Sequence, residues 1–321
     1  MTKLYVGTAG MSVWFSDDAG AHWDRPYSES GLYLESRVWA LASHPKAPGR
    51  VYAGTDRGLY RLDAAGKRRR WTHMPSPMDT LDIWALAVAP HDPKLLLAGT
   101  HPAGLYLSRD AGKSWKRLRC KFADHCIFIG KPRVTTVVFD PIDPNWMWAG
   151  VEIDGIYRST NGGRTWTKHV NGLRTEDIHG LTVIEHDGRR RVLATLNAGL
   201  HISDDDGESW EWRKLPSKWQ YTRTTLPING GKRLLLTNGN GPPGNDGRLL
   251  KSDDGGESWS DAGLPTPVNS TPWCITADPD GKQIFVLSNL GQIFQSKNGG
   301  RTWKKLDREL GEIRSALLQA A

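Results

Sequence analysis

Cysteine is scarce in this 321-residue chain: there are three, Cys120, Cys126 and Cys274. Three thiols with no regular spacing exclude a disulfide framework and suit reduced side chains. Long apolar runs are missing as well. None approaches the roughly 18 residues of a membrane span. Charge of one sign is also lacking, since 42 Lys and Arg face 35 Asp and Glu, for a net +7. The basic runs Lys67–Arg70 and Arg189–Arg191 lack the interleaved aromatics that stack bases, so no nucleic-acid module is expected. Residues 1–8 (MTKLYVGT) read as a strand, not as a leader, which sets the expectation of a cytoplasmic protein without a membrane partner.

What the chain has in excess is tryptophan, 15 in all. Seven of them close a recurrent stretch. It is clearest as Ser108–Trp115 (SRDAGKSW) and recurs as Ser16–Trp23, Ser159–Trp166, Ser203–Trp210, Ser252–Trp259 and Ser296–Trp303. A worn, longer copy, Leu62–Trp71, keeps Asp63 and Gly66. The closing tryptophans are spaced by 48, 44, 51, 44, 49 and 44 residues, and a period in this range means a solenoid, propeller or array. Asp or Asn at the third place can accept backbone N–H groups across a tight turn, and Gly at the fifth supplies positive φ. The Trp would then enter the next strand and bury its ring. These residues need no catalysis to explain them.

Each repeat reads as four short strands, A to D, with the motif between C and D. Strand A is expected at 37–44, 82–89, 133–140, 177–184, 221–226 and 272–278. The chain starts with B, C and D and has no A before them, whereas residues 312–319 look like an A with no B after it. The fold expected is therefore all-β: one seven-bladed β-propeller domain, residues 1–321, of four-stranded blades. The C-terminal strand would complete the N-terminal blade and so remove an exposed sheet edge.

With this pattern the sequence resembles the Asp-box (BNR-repeat) propeller superfamily, which includes sialidases, xyloglucan-cleaving hydrolases, sortilin-type receptors and photosystem assembly factors. The resemblance covers the whole chain. It implies that strand A lines the central channel, that the D–A and B–C loops share one face, and that the Asp boxes lie on the other. It is specific for fold and poorly specific for activity.

Aligning the A strands gives one equivalent residue per blade: Trp39, Trp84, Thr135, His179, Arg223, Trp273 and Arg314. Two residues earlier lie Arg37, Asp82, Arg133, Asp177, Tyr221, Thr271 and Glu312, and the B–C loops add Glu152, Asp154 and Asn197. Aromatic faces beside forked cations suit a small polar ligand or a sugar. The ligand-binding set expected is Trp39, Trp84, Trp273, Arg37, Arg133, Arg223, Arg314, Asp82 and Asn197. A hydrolase acting on a glycoside or another polar substrate would use Glu152, Asp154 and Asp177 as carboxylates, with His179 as an alternative base and Tyr221 beside them. Sialidase activity is disfavoured, because there is no Arg-Ile-Pro segment and the blades number seven. The alternatives are a non-catalytic scaffold that binds a ligand or a protein partner, and a metal-dependent enzyme. No cofactor is expected beyond that metal, a transition ion on His101, His179, Glu152 and His125. Cys274 beside Trp273 is a candidate nucleophile, and Trp219 a candidate to reach the ligand from its loop.

Overall fold

A computed structural model describes residues 2–63, 69–127 and 129–320. Gly66 of the worn repeat, and Lys67 and Arg68 of the first basic run, lie outside the described residues. The chain forms seven antiparallel sheets arranged as the blades of a β-propeller. The innermost strands are Val38–Ala42, Asp82–Ala89, Val134–Phe139, Ile178–His186, Tyr221–Ile228, Pro272–Ala277 and Ile313–Ala320. Each packs against the innermost strands of the two neighbouring blades, which closes the ring.

The last strand completes the first blade. Ile313–Ala320 runs antiparallel to Thr2–Thr8, from Thr2 opposite Ala320 to Thr8 opposite Ile313. Burial explains why this end is a strand despite its helix-favouring Ala, Leu and Gln: Ile313 and Leu318, brought to one face by a register slip at Arg314, are buried against Leu4, Val6 and Leu287. Tertiary burial outweighs local propensity. Six blades have four strands. In the first, the outer strand is reduced to a single bridge, with Phe15 and Asp24 exchanging N–H···O bonds of 2.8 and 2.9 Å.

The Asp boxes are closed turns. Asp110 Oδ1 accepts from the Ser108 hydroxyl (2.8 Å) and the Ser114 N–H (2.9 Å), while the Gly112 N–H donates to Ser108 Oγ (2.9 Å). The Trp115 indole N–H folds back to the Gly112 carbonyl at 3.1 Å. This corrects one expectation, since in most blades the tryptophan ends the turn and the outer strand starts after it, as at Lys116–Arg117. Hydrogen bonding with the Ser114 side chain and backbone holds the Asp110 carboxyl down at about 2. Asp254 is also held at about 2, where burial is outweighed by the bonds from Ser258.

A carboxyl depressed in the folded state stabilises it above the unfolded pKa, and that stability is lost as pH falls through the folded value. Thermal stability should therefore drop between pH 4 and pH 2. The double variant Asp110→Asn/Asp254→Asn should flatten that drop, since Asn161 and Asn298 already serve in two boxes. An unchanged slope in a pH-resolved melting series would contradict this.

One irregularity recurs in every blade and positions the candidate site. The register between the innermost strand and its neighbour slips by one residue near the strand's N-terminal end. Val38 faces Thr55 but Ala40 faces Gly54; Ile83 faces Thr100 but Ala85 faces Gly99. The residue left over is Trp39, Trp84, Thr135, His179, Trp273 or Arg314, and in the sixth blade the pair Arg223–Thr224 faces the lone Thr237. These are β-bulges, which bend a strand and re-aim a side chain.

The glycine beside four of these bulges makes room for the next blade. A Cβ on Gly54 would lie 2.7 Å from Ile83 Cγ2 and 2.8 Å from the Ile83 carbonyl; Gly99 would meet Val134 at 2.4 Å, and Gly150 would meet Ile178 at 2.5 Å. Gly7 stands in the same relation to Val38. Gly54→Ala should cost about 1–3 kcal/mol by overpacking. Chemical denaturation checks this, and an unchanged midpoint would refute the close packing.

Candidate functional site

Six of the seven bulge residues are large or charged, and they form a belt about one cavity between the inner strands. Trp39 and Trp84 stack with centroids 4.1 Å apart and planes 12° from parallel. The Arg133 guanidinium lies 4.0 Å over Trp84 and pairs with Glu152. Across the ring, Arg223 lies 3.7 Å over Trp273. Arg314 approaches both Trp273 (5.1 Å) and Trp39 (5.6 Å) and pairs with Glu312. Below them a cavity of about 260 Å3 is lined by Trp84, His179, Arg223, Trp273 and Arg314 among others.

His179, like Trp273, is buried. Its Nδ1 is 2.6 Å from the Thr222 carbonyl, which can only accept, so Nδ1 carries a proton. Burial, reinforced by the Arg223 charge, lowers the affinity of His179 for a second proton. Its Nε2 lies 3.4 Å from Asp177 Oδ2, a contact that works against burial and favours the proton. Burial alone would raise the Asp177 carboxyl. Contact with His179 and the charges of Arg223 and Arg133 outweigh it, and the carboxyl is held below its ordinary range. Asp177 Oδ1 is buried and finds no hydrogen-bond partner among the described residues, and neither do Trp84 Nε1, His101 Nε2 and Arg314 Nε. Tyr221 packs 4.8 Å from the His179 ring, and burial raises its hydroxyl pKa, so it stays protonated at neutral pH.

Other expected residues lie off this belt. Asp82 accepts from Trp39 Nε1 at 3.4 Å and faces His101 at 3.6 Å, so it supports the belt from its edge. Arg37 is exposed, and its backbone N–H bonds to Asp56. Asn197 accepts from the Thr175 hydroxyl at 2.6 Å and ties two loops together. Asp154 is buried and saturated, accepting from the Ala123 N–H (2.8 Å), the Tyr157 hydroxyl (2.9 Å) and Lys168 (2.9 Å). It anchors the inserted loop that carries Cys120 and Cys126, and nothing in its surroundings frees it for catalysis.

The metal set does not converge: His101 faces Asp82, Glu152 faces Arg133, and His125 is exposed on the insertion. Among the described residues no group of three or more His, Cys, Asp or Glu is placed to hold an ion. Burial pushes the Cys274 thiol up to about 12 against the pull of Arg223 and Arg314, which leaves it a poor nucleophile. Trp219 is held by Asp246 at 2.9 Å.

Sequence reasoning missed Thr222, whose carbonyl sets the His179 tautomer. It also missed the bulges, although a signal was present in the repeated Val6-Gly7-Thr8, Ala53-Gly54-Thr55, Ala98-Gly99-Thr100 and Ala149-Gly150-Val151. A larger groove, about 950 Å3, lies between Asp18–Trp23 and Trp303–Arg308. It sits on the Asp-box side, beside the first blade's reduced outer strand, where no belt of this kind faces it.

The fold is a seven-bladed β-propeller, and its repeated turns are consistent with the Asp-box propellers. A family model described as sortilin, neurotensin receptor 3, matches residues 154–289. A probable oligoxyloglucan-reducing end-specific xyloglucanase of Neosartorya fischeri is 25% identical over 95% of this chain and 45% of its own length. The photosystem II assembly lipoprotein Ycf48 of a Picosynechococcus species is 38% identical over 54% of this chain and 48% of its own. Among solved structures, the GH74 enzyme of Niastella koreensis superposes with a TM-score of 0.68 at 19% identity, covering 94% of this chain and 46% of that one. The chain thus spans less than half the length of the curated relatives it matches.

Proposed function

We propose that this protein binds a glycan at the channel mouth and acts on it as a glycoside hydrolase-like enzyme. The observation that carries the reading is the bulge-borne belt of stacked indoles and guanidiniums encircling one polar cavity. Flat indole faces suit the apolar faces of sugar rings, and the Asp177 carboxylate, held by His179, supplies an acceptor for hydroxyls. The likeness to xyloglucanases along nearly the whole chain supports the sugar class. Asp177, displaced downward, has the sense required of a base or nucleophile, and Tyr221 and Glu152 stand beside it. Asp154, Arg37 and Asn197 are left out of this assignment, as is a metal.

A second reading, a non-catalytic scaffold for a protein partner, is favoured by the likeness to the photosystem II assembly protein and by the Arg133–Glu152 and Arg314–Glu312 pairing, which ties up carboxylates. The two separate in one experiment. Purified protein is incubated with neutral and acidic oligosaccharides, and binding and reducing-end release are followed together. Binding with release supports the enzyme. Binding without release leaves a glycan-binding propeller, and binding of neither class overturns the proposal.

A further inference from the structure

Arg133 and Arg314 each have a carboxylate partner at the mouth, Glu152 and Glu312. Arg223 has none within salt-bridge distance among the described residues. Its one side-chain hydrogen bond there is a long 3.5 Å contact from Nη1 to the Tyr221 hydroxyl. Yet Arg223 is a bulge residue at the channel cavity, laid on Trp273 with Arg314 approaching the same indole. Two cations share one aromatic platform, and burial together with the charges of Arg223 and Arg133 works against the protonated form of Arg314. An unpaired guanidinium beside another cation calls for an anion, and a planar fork suits a carboxylate. The single unmatched arginine matches a monoanion better than a phosphate ester, which carries about −1.5 to −2.

Beside Arg223 the ring asks for something else. Asp177 Oδ1, within reach of the Arg223 charge, is an acceptor without a partner, and Trp84 Nε1, across the ring, is a donor without one among the described residues. A ligand that satisfies both sides carries one carboxylate and several hydroxyls on a compact ring.

We propose that the channel mouth is specific for an acidic sugar, with the carboxylate of a uronate residue on Arg223 and its hydroxyls turned to Asp177 and His179. This rests on the glycan reading above and narrows it from sugars in general to uronate-containing oligosaccharides. A cavity of about 260 Å3 is small even for a ligand pocket, which favours one sugar ring over a peptide segment.

The test is calorimetric titration of the protein with trigalacturonate, with the same trisaccharide as its methyl ester, with a neutral xyloglucan oligosaccharide, and with a short peptide bearing a free C-terminal carboxylate. The acid should bind at least tenfold more tightly than its ester, and less tightly as salt rises. Arg223→Gln should weaken the acid far more than the ester and so abolish that preference, and Arg223→Lys should restore part of it. Circular dichroism confirms the fold of both variants.

If acid and ester bind alike, or if Arg223→Gln keeps the preference, the carboxylate assignment falls and the glycan reading stands. If the neutral oligosaccharide binds better than the acid, the outcome is the same. If only the peptide binds, or nothing binds, both fall.

Discussion

A chain lacking its last ten residues should not unfold cooperatively. The strand Ile313–Ala320 supplies the inner edge of the first blade, and in it Ile313 and Leu318 are buried. At about 1.5–3 kcal/mol for each buried aliphatic side chain, their loss alone removes roughly 3–6 kcal/mol. That is a large part of the 5–15 kcal/mol typical of a whole domain. The damage extends beyond those two residues. The strand also contacts the inner strands of both neighbouring blades, and its Ser315 hydroxyl donates to the Val38 carbonyl at 3.2 Å. Without it the edge of Thr2–Thr8 is open to pairing with another chain. Size-exclusion chromatography and a thermal melt should show aggregated material and no transition. A monomeric truncation melting within a few degrees of the full chain would show that the ring does not depend on this closure.

The second large effect concerns Asp177. Replacing it by Asn keeps the shape but removes the ionised carboxylate. If the mouth hydrolyses a glycoside, turnover should fall on the order of 10²–10⁴-fold, the range for loss of a general base. Ligand affinity should change far less, because the indole and guanidinium platforms remain. His179→Ala should also lose turnover, since the imidazole helps hold Asp177 ionised. Steady-state rates on whichever oligosaccharide is bound, measured alongside its dissociation constant, separate the two roles. An Asp177→Asn protein with wild-type turnover would remove Asp177 from the chemistry.

The repeat made the architecture legible. The Ser-x-Asp-x-Gly-x-Ser/Thr-Trp units and the unpaired strand-like segments at the two ends carry the seven blades and the closing strand, because both follow from local turn chemistry and strand pairing. The register slip beside Gly54, Gly99 and Gly150 was not read from the sequence, because it depends on how one blade presses on the next. Aligning the inner strands puts His179, Trp84, Trp273, Arg223 and Arg314 at equivalent positions, and in the fold these five line one cavity. Asp154 shows the limit of that method. From the chain it is a carboxylate in a mouth-side loop next to Glu152, whereas in the fold it is buried under an insertion and consumed by three donors. Asn197, also in a B–C loop, is taken up by Thr175, and Arg37, at the start of an inner strand, is exposed. Spacing identifies which loop a residue occupies; its neighbours from other blades decide whether it is free.

The claim on which this account turns is that the bulges of six blades aim one side chain each at a common ligand. Its most direct test is a crystal structure of the protein with a bound acidic oligosaccharide. The account predicts a sugar ring at the channel mouth within van der Waals distance of an indole of Trp39, Trp84 or Trp273, with its carboxylate on Arg223. Sugar density in the groove between the first and seventh blades, with the mouth unchanged, would contradict it.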